Sequence, residues 1–104
     1  NDGEAVETSA LRELEEETGF RGARAEIVLS GPVAPGLASE MLYLTRVHDL
    51  KRVSAGGGVD NENITVHLVP LDQVDAWLAG KTREGLLIEP RIYTGLYFLL
   101  RESR

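Results

Sequence analysis

Residues 12–20 decide the fold of this chain, and they read Arg12-Glu13-Leu14-Glu15-Glu16-Glu17-Thr18-Gly19-Phe20. On a helix that advances about 100° per residue, Glu13, Glu16 and Glu17 stand at i, i+3 and i+4 and therefore share one face. Gly19 suits the left-handed position that closes a helix. The stretch predicts an α-helix with a strongly acidic face that stops at Gly19.

The helix needs a start signal and a source of positive charge. Thr8 or Ser9 offers a side-chain oxygen that could cap its first turn. Like charges at these spacings destabilise a helix by about 0.2–0.5 kcal/mol per pair, so helix propensity alone does not account for them. A magnesium ion, which takes carboxylate and phosphate oxygens, could compensate. The residues by themselves also allow a solvated acidic face.

The wider pattern carries a family resemblance. It reads Glu4-x7-Arg12-Glu13-Leu14-x-Glu16-Glu17-x-Gly19-Phe20 and resembles the Nudix box, whose opening glycine would fall before Asn1. The resemblance implies an α/β (α+β) fold, a Nudix-like α/β/α sandwich with a mixed sheet that lacks its N-terminal strands. It also implies that the 104 residues are a single Nudix domain, its C-terminal two-thirds. Mg²⁺, or alternatively Mn²⁺, would be held by Glu13, Glu16 and Glu17.

Length and composition bound the alternatives. A chain of 104 residues that is 42% apolar and 27% charged has room for one globular domain. A net charge of −6 argues against nonspecific binding to nucleic acid or to an acidic membrane. There is no cysteine and no pattern of a signal peptide or membrane span, so we expect a cytoplasmic protein.

Apolar periodicity and turn residues place the remaining elements. Strands are predicted at residues 25–30, 40–47 and 64–69, and a mobile glycine-rich loop at residues 54–63. A short helix with Leu78 on its apolar stripe should close at Gly80, and a longer one over residues 88–99 should have Pro90 near its first turn. Three strands are few for a sheet between helices, so we expect exposed strand edges and exposed core surface.

The loop after the first strand resembles a second family element. In the loop that begins at Ala34, the residues Pro35, Gly36 and Glu40 match the P-G-x-x-x-E element of nucleoside diphosphate sugar pyrophosphatases. The resemblance implies that Ala34, Pro35, Gly36 and Glu40 take part in substrate binding. The bland alternative is a common Pro-Gly turn followed by a solvated glutamate.

The glycine-rich loop resembles the acidic loop of ADP-ribose, GDP-mannose and UDP-glucose pyrophosphatases. Carried over by position, Glu62 would be a further metal ligand and Asp60 the general base, although that base is a glutamate in those enzymes. Glu16 is a second catalytic candidate. Local turn hydrogen bonds are the alternative for Asp60 and Glu62.

These resemblances imply hydrolysis of the pyrophosphate bond in a nucleoside diphosphate sugar such as ADP-ribose, GDP-mannose or UDP-glucose. The products would be a nucleoside monophosphate and a sugar phosphate. Arg12 is interpreted as an orienting partner of a box glutamate rather than as a phosphate ligand. We expect a homodimer, since exposed edges favour association. The alternative is an inactive or incomplete Nudix module that binds metal or nucleotide, or forms part of an assembly.

Overall fold

A computed structural model describes residues 4–37, 39–58 and 63–102. Its helices are α1 (Val6–Thr18), α2 (Val74–Arg83, preceded by a 3-10 turn at Leu71–Gln73) and α3 (Arg91–Glu102). Its strands are β1 (Phe20–Arg21), β2 (Arg24–Pro32), β3 (Met41–His48) and β4 (Lys51–Arg52). Helices combined with antiparallel strands confirm the predicted α+β class.

The chain divides into two compact units, Asn1–Val66 and His67–Arg104. In the first unit, β2 and β3 form an antiparallel hairpin with Arg24 opposite His48 and Pro32 opposite Met41. The two-residue strands β1 and β4 form a second antiparallel ladder. Helix α1 packs on β1, β2 and β3. The second unit contains α2 and α3.

Three predictions about strands and loops need correction. The described residues form two separate antiparallel ladders rather than one mixed sheet. Residues 64–69 are not a strand, because a strand requires a hydrogen-bonded neighbour and no described segment pairs with them. Residues 54–58, predicted as part of a mobile loop, are hydrogen-bonded to the end of α1, since Gly57 and Gly58 donate to Glu17 and Glu16 and Ser54 donates to the C-cap residue Gly19.

The helix ends also differ from prediction. Helix α1 begins earlier than predicted, with Ala5 at its N-cap and no side-chain cap. Helix α2 continues through Gly80 to Arg83, and the chain turns at Gly85, where φ is +91°. A glycine inside a helix costs about 1 kcal/mol and so does not by itself stop one. The predicted stop at Gly19 is correct. Helix α3 runs over Arg91–Glu102 rather than over residues 88–99, so Pro90 lies just before the helix and not inside its first turn.

Most apolar side chains of the described residues are half-buried or exposed rather than fully buried. Leu78 in α2, 3% exposed, is the one buried hydrophobic side chain among them. The hairpin instead exposes large apolar side chains, among them Ile27, Leu29, Met41 and Tyr43. Across the described parts of the chain, no helix combines the length and apolar character that crossing a membrane requires.

Candidate functional site

A groove of about 580 Å³ lies between α1 and β3. Glu13 and Glu17 line it from α1, one helical turn apart, as the i, i+4 spacing predicts. Its other lining residues are mostly small or apolar: Val6, Ser9, Ala10 and Leu14 on the helix, Met41, Leu42, Tyr43, Thr45 and Val47 on the strand, together with Glu4. The groove therefore combines an acidic helix edge with a largely apolar strand.

The side-chain carboxylates of Glu13 and Glu17 have no hydrogen-bond or ion-pair partner among the described residues. Two carboxylates on adjacent turns with no counter-charge make a set of hard oxygen donors. Magnesium is commonly held by one or two carboxylates, with water and substrate phosphate completing its shell. The pair fits such an ion, although no cluster of three or more metal-binding side chains occurs within residues 4–37, 39–58 and 63–102.

Arg12 joins two other glutamates of the predicted pattern. Its Nε and Nη2 donate to the Glu4 carboxylate at 3.4 and 3.0 Å. Its Nη1 donates to both carboxylate oxygens of Glu16 at 3.4 Å. The hydrogen bond from Arg12 holds the pKa of Glu4 below its usual value, and the same bond raises the pKa of Arg12.

This pairing separates the predicted acidic trio. Glu16 does not line the groove with Glu13 and Glu17 but lines a neighbouring cavity of about 470 Å³. That cavity is also bounded by Arg12, Glu15, Ser54, Gly56 and Gly58. Residues at i, i+3 and i+4 spread over an arc of a helix, so the three carboxylates need not face the same cavity.

Glycines bind the C-terminal end of α1 from two parts of the chain: Gly19 directly after the helix, and Gly57 and Gly58 from a distant loop. Gly19 has a φ of +80°, and its N–H donates to the Glu15 carbonyl at 2.9 Å. The N–H groups of Gly57 and Gly58 donate to the carbonyls of Glu17 and Glu16 at 2.8 and 3.0 Å. Sequence reasoning missed this contact, for which the run of three glycines was the available signal.

The predicted substrate loop connects β2 to β3. The Val33 N–H donates to the Glu40 carbonyl at 3.0 Å, and the Leu37 N–H donates to the Ala34 carbonyl at 2.9 Å. Gly36 turns the chain with a φ of +82°. None of the four predicted substrate-binding residues, Ala34, Pro35, Gly36 and Glu40, lines either cavity of the acidic helix. Their binding role stays a prediction.

Two predicted residues lie outside the described part of the chain. Asp60, the predicted general base, and Glu62, the predicted fourth metal ligand, both fall in residues 59–62, which the structure does not describe. Their roles stay predictions.

The chain resembles known pyrophosphatases over most of its length, although no protein family model matches it. It is 34% identical over 87 residues to GDP-mannose pyrophosphatase of Enterobacter sp. (strain 638), which covers 81% of this chain and 46% of that protein. It is 31% identical over 87 residues to GDP-mannose pyrophosphatase of Citrobacter koseri, with the same shares covered. The methanol dehydrogenase activator of Bacillus methanolicus is 36% identical over 69 residues, 66% of this chain and 37% of that protein. The chain thus spans less than half the length of these relatives.

Proposed function

We propose that this chain carries the acidic helix of a Nudix hydrolase that cleaves the pyrophosphate bond of a nucleoside diphosphate sugar with the help of a divalent cation. The observation that carries the proposal is the pair Glu13 and Glu17, which lie together on the groove without a counter-charge among the described residues. The similarity to GDP-mannose pyrophosphatases supports the same reaction class. ADP-ribose, GDP-mannose and UDP-glucose are the substrates proposed.

The reaction accounts for the need for positive charge. A pyrophosphate linkage lies among anionic oxygens that repel an attacking nucleophile, and its leaving phosphate carries further negative charge. Mg²⁺ bound by Glu13 and Glu17 would neutralise these oxygens and lower the pKa of a bound water. Mn²⁺ is an alternative, because it too favours carboxylate oxygens.

The other residues of the helix have separate tasks in this proposal. Arg12 holds Glu16 in place through its guanidinium and is thereby kept from binding phosphate. Glu16, and Asp60 from the undescribed stretch, are the candidates for accepting the proton of the attacking water. The groove, at about 580 Å³, is in the usual size range for a small-molecule site.

A substrate panel with a carboxylate variant tests the proposal. With Mg²⁺ present, the protein should hydrolyse sugar nucleotides faster than nucleoside triphosphates. Glu17→Gln should lower kcat by at least about 100-fold, because an amide is a much weaker ligand than a carboxylate, and the loss of a group that merely hydrogen-bonds to a ligand already costs about 10–100-fold. Glu7→Gln is the matched control, since Glu7 lies on the same helix but does not line the groove. Unchanged turnover in Glu17→Gln would contradict the catalytic role of this helix.

A second candidate is an inactive or incomplete Nudix module that binds metal or nucleotide, or serves in an assembly. The exposed apolar side chains of the hairpin favour it, because such surface is suited to packing against further polypeptide. Protein that binds Mn²⁺ but hydrolyses none of the panel would support this candidate. We also propose that the protein is a cytoplasmic homodimer. Analytical ultracentrifugation of the purified protein tests whether it is a dimer.

A further inference from the structure

The segment Gly56–Gly58, here called the glycine clamp, is tied to the last turn of α1 by main-chain hydrogen bonds. Gly57 N–H reaches the Glu17 carbonyl at 2.8 Å, and Gly58 N–H reaches the Glu16 carbonyl at 3.0 Å. The final carbonyls of an α-helix have no partner within the helix. Here a distant segment of the chain supplies their donors, so the helix end and the loop form one hydrogen-bonded unit.

Glycine is required at position 56 for this approach. A Cβ atom there would lie 2.4 Å from the Thr18 carbonyl carbon and 2.8 Å from the Glu17 carbonyl oxygen. Both neighbours are backbone atoms, which cannot rotate away as a flexible side chain could. The φ of +74° adds a conformation that residues with a Cβ rarely adopt. Any larger residue at position 56 would therefore push the clamp off the helix.

The glycine clamp binds the last turn of α1, which contains Glu17, one of the two candidate metal ligands. Glu13 and Glu17 share the groove only while the chain remains helical as far as Glu17, and helix ends tend to fray. Like charges at i and i+4 oppose that last turn. Main-chain bonds to the carbonyls of Glu16 and Glu17 counteract both tendencies.

We infer that the glycine clamp is a positioning element that sets the affinity of the Glu13 and Glu17 pair for a divalent cation. The inference rests on the proposed function in taking these two carboxylates as the ligands. The clamp touches neither carboxylate and acts through the backbone of the last helical turn.

The side chain of Ser54 allows one hydrogen bond of this loop to be removed without a steric clash. The Gly56 N–H donates to Ser54 Oγ at 3.2 Å, and the Ser54 N–H donates to the Gly19 carbonyl at 3.2 Å. The hydroxyl thus holds the turn that leads into Gly56. Ser54→Ala removes this hydrogen bond without placing a new atom against α1, and Ser54→Thr retains the hydroxyl.

The test measures Mn²⁺ binding directly, from the electron paramagnetic resonance signal of the free ion. Gly56→Ala should raise the Mn²⁺ dissociation constant about 10–100-fold, the usual effect of losing a positioning group behind a ligand. Ser54→Ala should raise it about two- to tenfold, as expected for one hydrogen bond, and Ser54→Thr should restore it. Gly85→Ala is the control for strain, because Gly85 has a φ of +91° but open space around its Cβ position.

Far-ultraviolet circular dichroism of each variant keeps the outcomes separate. The inference is overturned if the Gly56→Ala variant folds and binds Mn²⁺ with the same dissociation constant as the original protein. If Gly56→Ala does not fold, the two Ser54 variants decide, and unaltered binding in Ser54→Ala overturns it. Failure of the unaltered protein to bind Mn²⁺ overturns it as well. Clamp-dependent Mn²⁺ binding without hydrolysis of any sugar nucleotide would instead refute the proposed function alone.

Discussion

Replacement of Gly19 by alanine tests how closely the helix end and the following loop are packed. Gly19 and Gly36 have nearly identical φ values, +80° and +82°. A Cβ atom at Gly19 would lie 2.1 Å from the Ser54 carbonyl oxygen, whereas a Cβ at Gly36 would have no atom within 4 Å. The two substitutions therefore share the conformational penalty and differ in the steric one.

The left-handed conformation costs an L-residue about 1–2 kcal/mol, and this should be the whole effect of Gly36→Ala on the free energy of unfolding. Forcing an atom into a closely packed site typically adds about 1–3 kcal/mol, so Gly19→Ala should cost roughly 2–5 kcal/mol. Part of this cost is the displacement of Val53 and Ser54, whose N–H groups donate to the Gly19 carbonyl at 2.8 and 3.2 Å.

Urea unfolding followed by circular dichroism measures both values, with the slope m checked for constancy. Gly19→Ala should have the lower midpoint by a margin well outside error. Equal midpoints for the two variants would mean that residues 54–56 do not lie against Gly19, and would refute the described packing.

Three further predictions concern other parts of the molecule. Leu78→Ala should lower the free energy of unfolding by about 2–5 kcal/mol, because the Leu78 side chain is only 3% exposed. Leu87→Ala should change it by less than about 0.5 kcal/mol, because Leu87 is 99% exposed, and equal denaturation midpoints for the two variants would contradict this expectation. Arg21 donates to Glu15 at 2.8 Å and holds the Glu15 pKa below its ordinary value. The pair therefore stabilises the fold at a pH above that ordinary value and loses this effect as the pH falls through the lowered pKa. Arg21→Gln should therefore raise the Glu15 pKa in an NMR titration of the carboxyl carbon. An unchanged Glu15 pKa would contradict the hydrogen bond between Arg21 and Glu15. Arg12→Lys should lower kcat about tenfold, because an ammonium cannot bind two carboxylates as a planar guanidinium does. The measurement is kcat at saturating Mg²⁺, and an unchanged kcat would contradict the proposed orienting role of Arg12.

The acidic helix shows how far local sequence signals reach. Its face of Glu13 and Glu17 follows from the 3.6-residue period, and its stop follows from the tolerance of Gly19 for positive φ. Both properties depend on residues within a turn or two of one another. The hairpin strands are predictable on the same basis, since apolar alternation and a Pro-Gly turn are also local properties of the sequence.

The failures have a different origin. Residues 64–69 have the composition of a strand, yet strand formation depends on a partner elsewhere in the chain, and composition cannot name one. The glycine run predicted a loop but not that its N–H groups bind the end of α1. Gly80 has the residue type of a helix stop, yet α2 continues to Arg83, because a glycine within a helix costs only about 1 kcal/mol.

The sequence by itself determined that a helix with an acidic face ends at Gly19, because spacing and backbone preference are properties of neighbouring residues. Only the tertiary structure decided that Glu13 and Glu17 share a groove with β3 while Arg12 holds Glu16 beside the glycine clamp. The physical reason is that hydrogen bonds and close approaches between distant segments depend on where the backbone brings them, which no local pattern specifies.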